Sequence, residues 1–197
     1  MHFEHIERRL QHAHQAMTQL RSAARDIDAA AGAIVQVLQR GGTVFTCGNG
    51  GSSAEALHLA EELIGNYSDR SRPPQRAIAL AADPTALTCI ANDFGFDEVF
   101  ARPLRALSRS GDALVALSTS GRSANIIAAL ATARRQGVLT VGLLGRDGGP
   151  AAPLCDHAIV CPGADSAAIQ ECHLVVVHAI CEAVEHAVGR ANESSVC

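Results

Sequence analysis

The chain contains no lysine, and all sixteen of its basic residues are arginine. Schiff-base chemistry, a pyridoxal-phosphate lysine and the lysine of a Walker-type phosphate loop are therefore excluded together. A phosphate bound here must be held by backbone N–H groups and hydroxyls, with arginine at most in support. Tryptophan is also absent and aromatics make up only 3% of the residues, which removes a stacking platform for single-stranded nucleic acid. The net charge of −4 and a pI near 6.1 argue against a polyanionic partner. Seven cysteines, odd in number, irregularly spaced and without a CxxC pair, read as reduced thiols rather than a disulfide framework. The opening MHFEHIERRL lacks an apolar core and does not read as a signal peptide. Apolar runs such as Leu174 to Val177 are short, core-like pieces rather than membrane spans.

The stretch Cys47 to Gly65, CGNGGSSAEALHLAEELIG, organises the rest. A run rich in β-branched residues, Thr43 to Thr46, feeds a glycine-serine turn that opens directly into an Ala/Leu/Glu-rich helix. The glycines let backbone N–H groups approach a ligand, and the first helical turn adds unpaired donors at a positive dipole end, so the segment is an anion seat. His58 and Glu62, four apart, share one face of that helix and aim near whatever the seat holds. A second unit of the same kind is Asp112 to Leu130, in which the strand Ala113 to Leu117 runs into Ser118, Thr119, Ser120 and Ser123 before a helix. A hydroxyl before a helix is often only a cap, but four within six residues exceed what capping needs and favour phosphate binding. Two such units predict an α/β fold, a doubly wound parallel sheet with its ligand at the C-terminal ends of the strands.

At 197 residues the chain suits one domain with a helical extension: helices over 1–40, the sheet domain over 41–190 and a flexible tail over 191–197. Ile6, Leu10, Ala13, Met17, Leu20, Ala24, Ile27, Ala31, Ile34 and Leu38 form a heptad seam, and Asp26, Asp28 and Gly32 place a break that makes two helices of it. The seam fits either a helix packing on its own domain or a bundle between subunits, and its length favours the bundle. His2, His5, His12 and His14 receive no role. Further strands are expected over Arg76 to Ala81, Val138 to Leu143 and Ala158 to Val160, the last at an edge. Pro84 opens a helix, Asn92-Asp93-Phe94-Gly95 is read as a turn, and Asp97 as the cap of another helix. The last helix, Ser166 to Val188, carries Gln170, Glu171, His173, His178, Glu182 and His186; on a helical wheel Glu171 aligns with His178 and Gln170 lies off that stripe.

A dinucleotide site is a weak rival, since the third glycine of GxGxxG would fall at Ser53 and no acidic residue ends a second strand at the expected distance. A zinc hydrolase lacks its HExxH. The pieces CGNGGSSAEALHLAEEL, IANDFGFDEVF, LSTSGRSANI and IQECHLVVVH, taken together, resemble the sugar isomerase (SIS) superfamily and, within it, the phosphoheptose isomerases. The resemblance implies interconversion of sedoheptulose 7-phosphate and D-glycero-D-manno-heptose 7-phosphate, on the way to the heptose of lipopolysaccharide or capsule. It implies that Asn49, Gly50, Gly51, Ser52, Asn92 and Asp93 contact the sugar phosphate and that Ser118, Thr119, Ser120 and Ser123 hold the phosphate. It further implies zinc on His58, Glu62, Gln170 and His178, in place of the Glu171 that the wheel nominates, with Glu62 and Gln170 also at the substrate. A cytoplasmic homotetramer with sites near subunit interfaces is the implied assembly, with neither nucleic acid nor membrane as partner. No role is carried over to Asp165.

In that chemistry Glu62 is the candidate base for the carbon proton and His178 the acid for the oxygen protons. A metal at the same cluster would polarise the carbonyl, and a Glu62 fully occupied as its ligand would be a poor base. Two alternatives stand beside the heptose reading. One is a non-enzymatic SIS-fold protein of the kind that associates with the bacterial replication initiator, which lacks counterparts of His58, Glu62 and His178. The other is an isomerase of a different sugar phosphate, distinguished by pocket size.

Overall fold

Five short runs of small and aliphatic residues form the strands, and the three central ones are buried almost throughout because helices cover both faces. The computed structural model describes residues 2–193. In chain order the elements are α1 (His2–Leu20), α2 (Ala24–Gln39), β1 (Val44–Gly48), α3 (Gly51–Ile64), β2 (Ala77–Ala79), α4 (Pro84–Phe94), α5 (Ala101–Leu107), β3 (Ala113–Ser118), α6 (Ala124–Arg135), β4 (Leu139–Gly145), β5 (His157–Cys161) and α7 (Ser166–Glu193). All strand pairs are parallel and the order is β2-β1-β3-β4-β5. The doubly wound sheet expected from the two strand-loop-helix units is therefore present, with the reversal of strand order between β1 and β3.

Alternate strand residues feed two cores. Val44, Ala113, Val115, Leu117, Val141 and Leu143 pack against α2, α3 and α7. Phe45, Cys47, Leu114, Ala116 and Leu144 face the opposite way, toward α4, α5 and α6. Each fully buried Leu, Val or Phe contributes roughly 1.5–3 kcal/mol, so these two layers hold the sheet between its helices.

Several boundaries differ from expectation. The break in the N-terminal helices falls at a 3-10 turn, Arg21–Ala23, rather than at Asp26 to Gly32. There the Ser22 hydroxyl donates to the Gln19 carbonyl and competes with helix continuation. Asn92 to Phe94 form the last turn of α4 and only Gly95 lies beyond it. Asp97 sits within a 3-10 turn without a side-chain cap, and α5 begins four residues later. The strand expected over Arg76 to Ala81 shrinks to three residues. The α7 helix runs on to Glu193, so only 194–197 of the expected tail fall outside the described residues. Contrary to the sequence reading, the window Ser166–Val188 is long and apolar enough by composition to cross a membrane. Half of it is buried, however, and α7 packs against α1, α2 and α3 as a core helix does. The six described cysteines are free, as expected of reduced thiols.

Candidate active site

The C-terminal ends of β1 and β3, which are neighbours in the sheet, open into a small polar hollow. It is lined by Asn49, Ser52, Ser118, Thr119, Ser120, Ser123, Leu117 and Gln170. Its volume of about 70 Å³ suits one chemical group; whole-ligand pockets are roughly 300–1,000 Å³. Neither helix that enters it is capped by a side chain: Gly50 precedes α3 and Ser123 precedes α6, both without a cap hydrogen bond. Their free N–H groups and dipole ends are thus available to an anion.

The loops around the hollow hold themselves in place. The Ser118 hydroxyl accepts from Gly121 N–H at 3.1 Å and the Ser120 hydroxyl from Arg122 N–H at 3.2 Å, so these two serines also build the loop. The Thr119 hydroxyl reaches Ser166, at 3.5 Å. Gly121 has φ +63°, and a Cβ there would lie 2.0 Å from the Gly148 carbonyl oxygen, so no side chain is admitted. Gly51 admits the Gln170 amide, which would meet a Cβ at 2.5 Å. Asn49 and Asn125 exchange two hydrogen bonds, of 2.9 and 2.8 Å, and tie one loop to the other. Asn125 falls within the LSTSGRSANI piece but has no role assigned from sequence, since its partner Asn49 is 76 residues away.

Next to the hollow, α3 and α7 face each other. His58 Nε2 lies 3.3 Å from His178 Nε2 and 3.5 Å from Glu62 Oε1. His58 Nδ1 faces Glu61 Oε2 at 3.7 Å, an arrangement that favours the proton on Nδ1 and leaves the Nε2 lone pair turned to the site. His58, Glu61 and Glu62 offer ligand atoms within 4.8 Å of one another. Two imidazoles and a carboxylate meeting in this way fit the donor set of a catalytic zinc site with an open position. Gln170, the fourth donor that the resemblance implies, lines the hollow, with its amide 3.4 Å from the Ser52 hydroxyl.

Other candidates separate from this group. Glu171, favoured by the helical wheel, turns toward α1 and accepts from Arg9 at 3.2 Å. His173 is fully buried between α3 and α7, its Nδ1 3.7 Å from Glu55 Oε2. Asn92 and Asp93 are exposed on α4, where Asn92 donates to Asp93 at 2.7 Å, and they do not line the hollow. Asp165, given no role from sequence, accepts from Ala168 N–H at the start of α7, from Arg9 and from His12. A larger recess of about 520 Å³ lies at the opposite, N-terminal edge of the sheet, beside Arg40, Asp112 and Arg134. Asp112 is already occupied there by Thr43 and Arg109 N–H groups, so that recess lacks convergent free chemistry.

Residues 10–145 match the SIS domain family. The phosphoheptose isomerase of Chlorobaculum parvum is 48% identical over 188 residues, 94% of this chain and 90% of the relative. Among solved structures, phosphoheptose isomerase GmhA from Neisseria gonorrhoeae superimposes with a TM-score of 0.89 at 36% identity, over 94% of this chain and all of the other. A phosphoheptose isomerase from Francisella tularensis gives 0.91 at 33% identity, over 94% and 99%.

Proposed function

Since the chain belongs to the phosphoheptose isomerase family of SIS-domain proteins, we propose that it interconverts sedoheptulose 7-phosphate and D-glycero-D-manno-heptose 7-phosphate. The observation that carries this reading is the meeting of His58, His178 and Glu62 beside a one-group anion hollow. Along α3, Ser52 and His58 are about 9 Å apart at 1.5 Å per residue, a span that a sugar chain carrying its phosphate on the terminal carbon can bridge. The phosphate rests on the α3 and α6 N–H groups and on the Ser118 to Ser123 hydroxyls. Glu62 takes the proton from C1, and the electrons of that bond form the C1–C2 double bond of the enediolate. His178 protonates O2; the O1 proton then leaves to His178 as the C1 carbonyl forms, and Glu62 returns the carbon proton to C2. No electrons leave the substrate, so no redox partner is required.

Zinc is the cofactor we propose, and His58, Glu62 and His178, with Gln170 on the family pattern, would hold it; a ligating carboxylate or imidazole keeps a second atom off the metal, which would leave Glu62 and His178 able to carry protons. When bound it would polarise the carbonyl and steady the enediolate oxygens. The assembly we propose is a homotetramer, supported by apolar side chains left exposed on Phe3, Ile6 and Leu10 of α1, Leu57 and Ile64 of α3, and Leu174 and Val175 of α7. The buried half of the heptad seam, Leu20 to Leu38, packs within the protein, and the exposed half is free for a partner copy. A cytoplasmic location accords with the free thiols and the sugar-phosphate substrate.

The test is NMR of the purified protein with sedoheptulose 7-phosphate, before and after chelation and with zinc restored. Aldoheptose phosphate that disappears on chelation and returns with zinc is the expected result. Turnover indifferent to chelation would remove zinc and keep the isomerase, and no turnover from folded protein would remove the heptose reaction.

A further inference from the structure

The polar segment between α3 and β2 is not a passive connection. Arg72, buried despite its charge, donates from its guanidinium to the carbonyls of Glu62 (2.7 Å), Leu63 (3.1 Å), Gly65 (3.2 Å) and Pro73 (3.0 Å), and so closes the C-terminal end of the helix that bears Glu62. Its Nε lies 3.5 Å from Glu185 Oε1 on α7. Glu185 is seven residues beyond His178, two turns along the same face. Its carboxylate gathers the N–H groups of Tyr67 (3.1 Å), Ser68 (2.9 Å) and Asp69 (3.1 Å) and the Ser68 hydroxyl (2.6 Å). Burial pushes the Glu185 carboxyl up, but these donors outweigh it and hold it down to about 2. The segment is thereby wrapped on α7 with Tyr67 in a fixed place. The Tyr67 ring lies against His178, centroids 5.5 Å apart and tilted by 38°, and its hydroxyl donates to Glu182 at 3.3 Å. The other neighbour of the imidazole is His58, edge-on at 5.5 Å. His178 therefore has two rings packed against it.

We propose that Tyr67 is a positioning residue for His178, setting the plane of its imidazole, and that Glu185 and Arg72 hold Tyr67 in that place. This rests on the acid role of His178 argued above. A carboxylate ringed by three backbone N–H groups and facing a buried guanidinium is more than a surface loop needs, and what it immobilises is the ring next to the acid. Displacement of a reacting group by about 1 Å can cost 10²-fold in rate, so the contact has a measurable value.

The experiment compares Tyr67→Leu, Tyr67→Phe and Glu185→Gln in the full chain, with Glu62→Gln and His178→Ala run alongside. Tyr67→Leu is expected to lower kcat about tenfold or more while KM stays within about twofold, because the phosphate hollow is untouched. Tyr67→Phe, which keeps the ring, should restore most of kcat. Tyr67 is the chain's single tyrosine and there is no tryptophan, so 3-fluorotyrosine gives one ¹⁹F signal in the wild-type background. In Glu185→Gln that signal should move and broaden while kcat falls. Wild-type kcat in Tyr67→Leu, or equal losses in the leucine and phenylalanine variants, would overturn the proposal. If Tyr67→Leu does not fold, an unmoved fluorine signal with normal kcat in Glu185→Gln overturns it instead. Activity in Glu62→Gln or His178→Ala would strike at the acid–base reading itself and not at the clamp alone.

Discussion

Four of the helices begin in two different ways. At α4, Asp83 accepts from the N–H groups of Thr85 and Ala86 at 2.9 and 3.0 Å, and at α7, Asp165 accepts from Ala168 N–H at 2.9 Å. At α3 and α6 the corresponding residues are Gly50 and Ser123, and no side chain caps the helix. The capped helices are finished within the protein. The uncapped pair begins at β1 and β3, where the strand order reverses, and both members turn their unsatisfied donors to the same hollow. An anion site is made here by leaving out a carboxylate that a purely structural helix would use. Of the two, only α3 carries an acid–base pair, His58 and Glu62, about two and three turns on, so α6 grips whereas α3 grips and reacts.

The largest expected effect comes from the reacting half. Glu62→Gln should lower kcat by roughly 10²–10⁴-fold, the usual contribution of a general base, with substrate binding kept; steady-state kinetics and titration with substrate measure both. Next is Ser123→Asp, which gives α6 the cap that α4 has. It should raise KM roughly 30-fold, from a like-charge penalty of about 2 kcal/mol against phosphate, while thermal stability holds or rises. Asp83→Ala is the reverse experiment: it should cost about 1 kcal/mol in denaturant unfolding and leave kcat and KM alone. The smallest effect concerns pH. The Asp165 carboxyl is held well below its ordinary value of 3.8 by Ala168 N–H, Arg9 and His12. With the folded value depressed, its stabilisation is complete above that ordinary value and is lost as pH falls below it. The stability gap between wild type and Asp165→Asn should therefore be open at pH 7 and close in acid.

The sheet was legible because buried parallel strands appear as short apolar runs between glycine-rich loops, and Val44 to Gly48 and Ala113 to Ser118 are such runs. The two loops of the hollow and the His58, Glu62 pair are legible because each loop, and the pair, lies within one local segment. What sequence misplaced depends on long-range partners. Glu171 has the better helical phase, but Arg9, 162 residues away in sequence, draws it off, and Gln170 is admitted to the hollow only because Gly51 has no side chain. Asn92 and Asp93 were read as a turn, yet Asp83 and Pro84 start α4 firmly enough to carry the helix through to Phe94. Arg72, Glu185 and Tyr67 lie outside the recognised pieces and Asn125 is only one residue of LSTSGRSANI; their roles exist only once α3, α6 and α7 are brought together.

The division between grip and reaction is tested most directly by exchange of the C1 protons of sedoheptulose 7-phosphate in D₂O, followed by proton NMR with wild type and Glu62→Gln at saturating substrate. Exchange in the wild type, and its loss in a Glu62→Gln variant that still binds the substrate with near-normal affinity, is the predicted result. Exchange at the wild-type rate in Glu62→Gln would contradict the account and place the carbon base elsewhere.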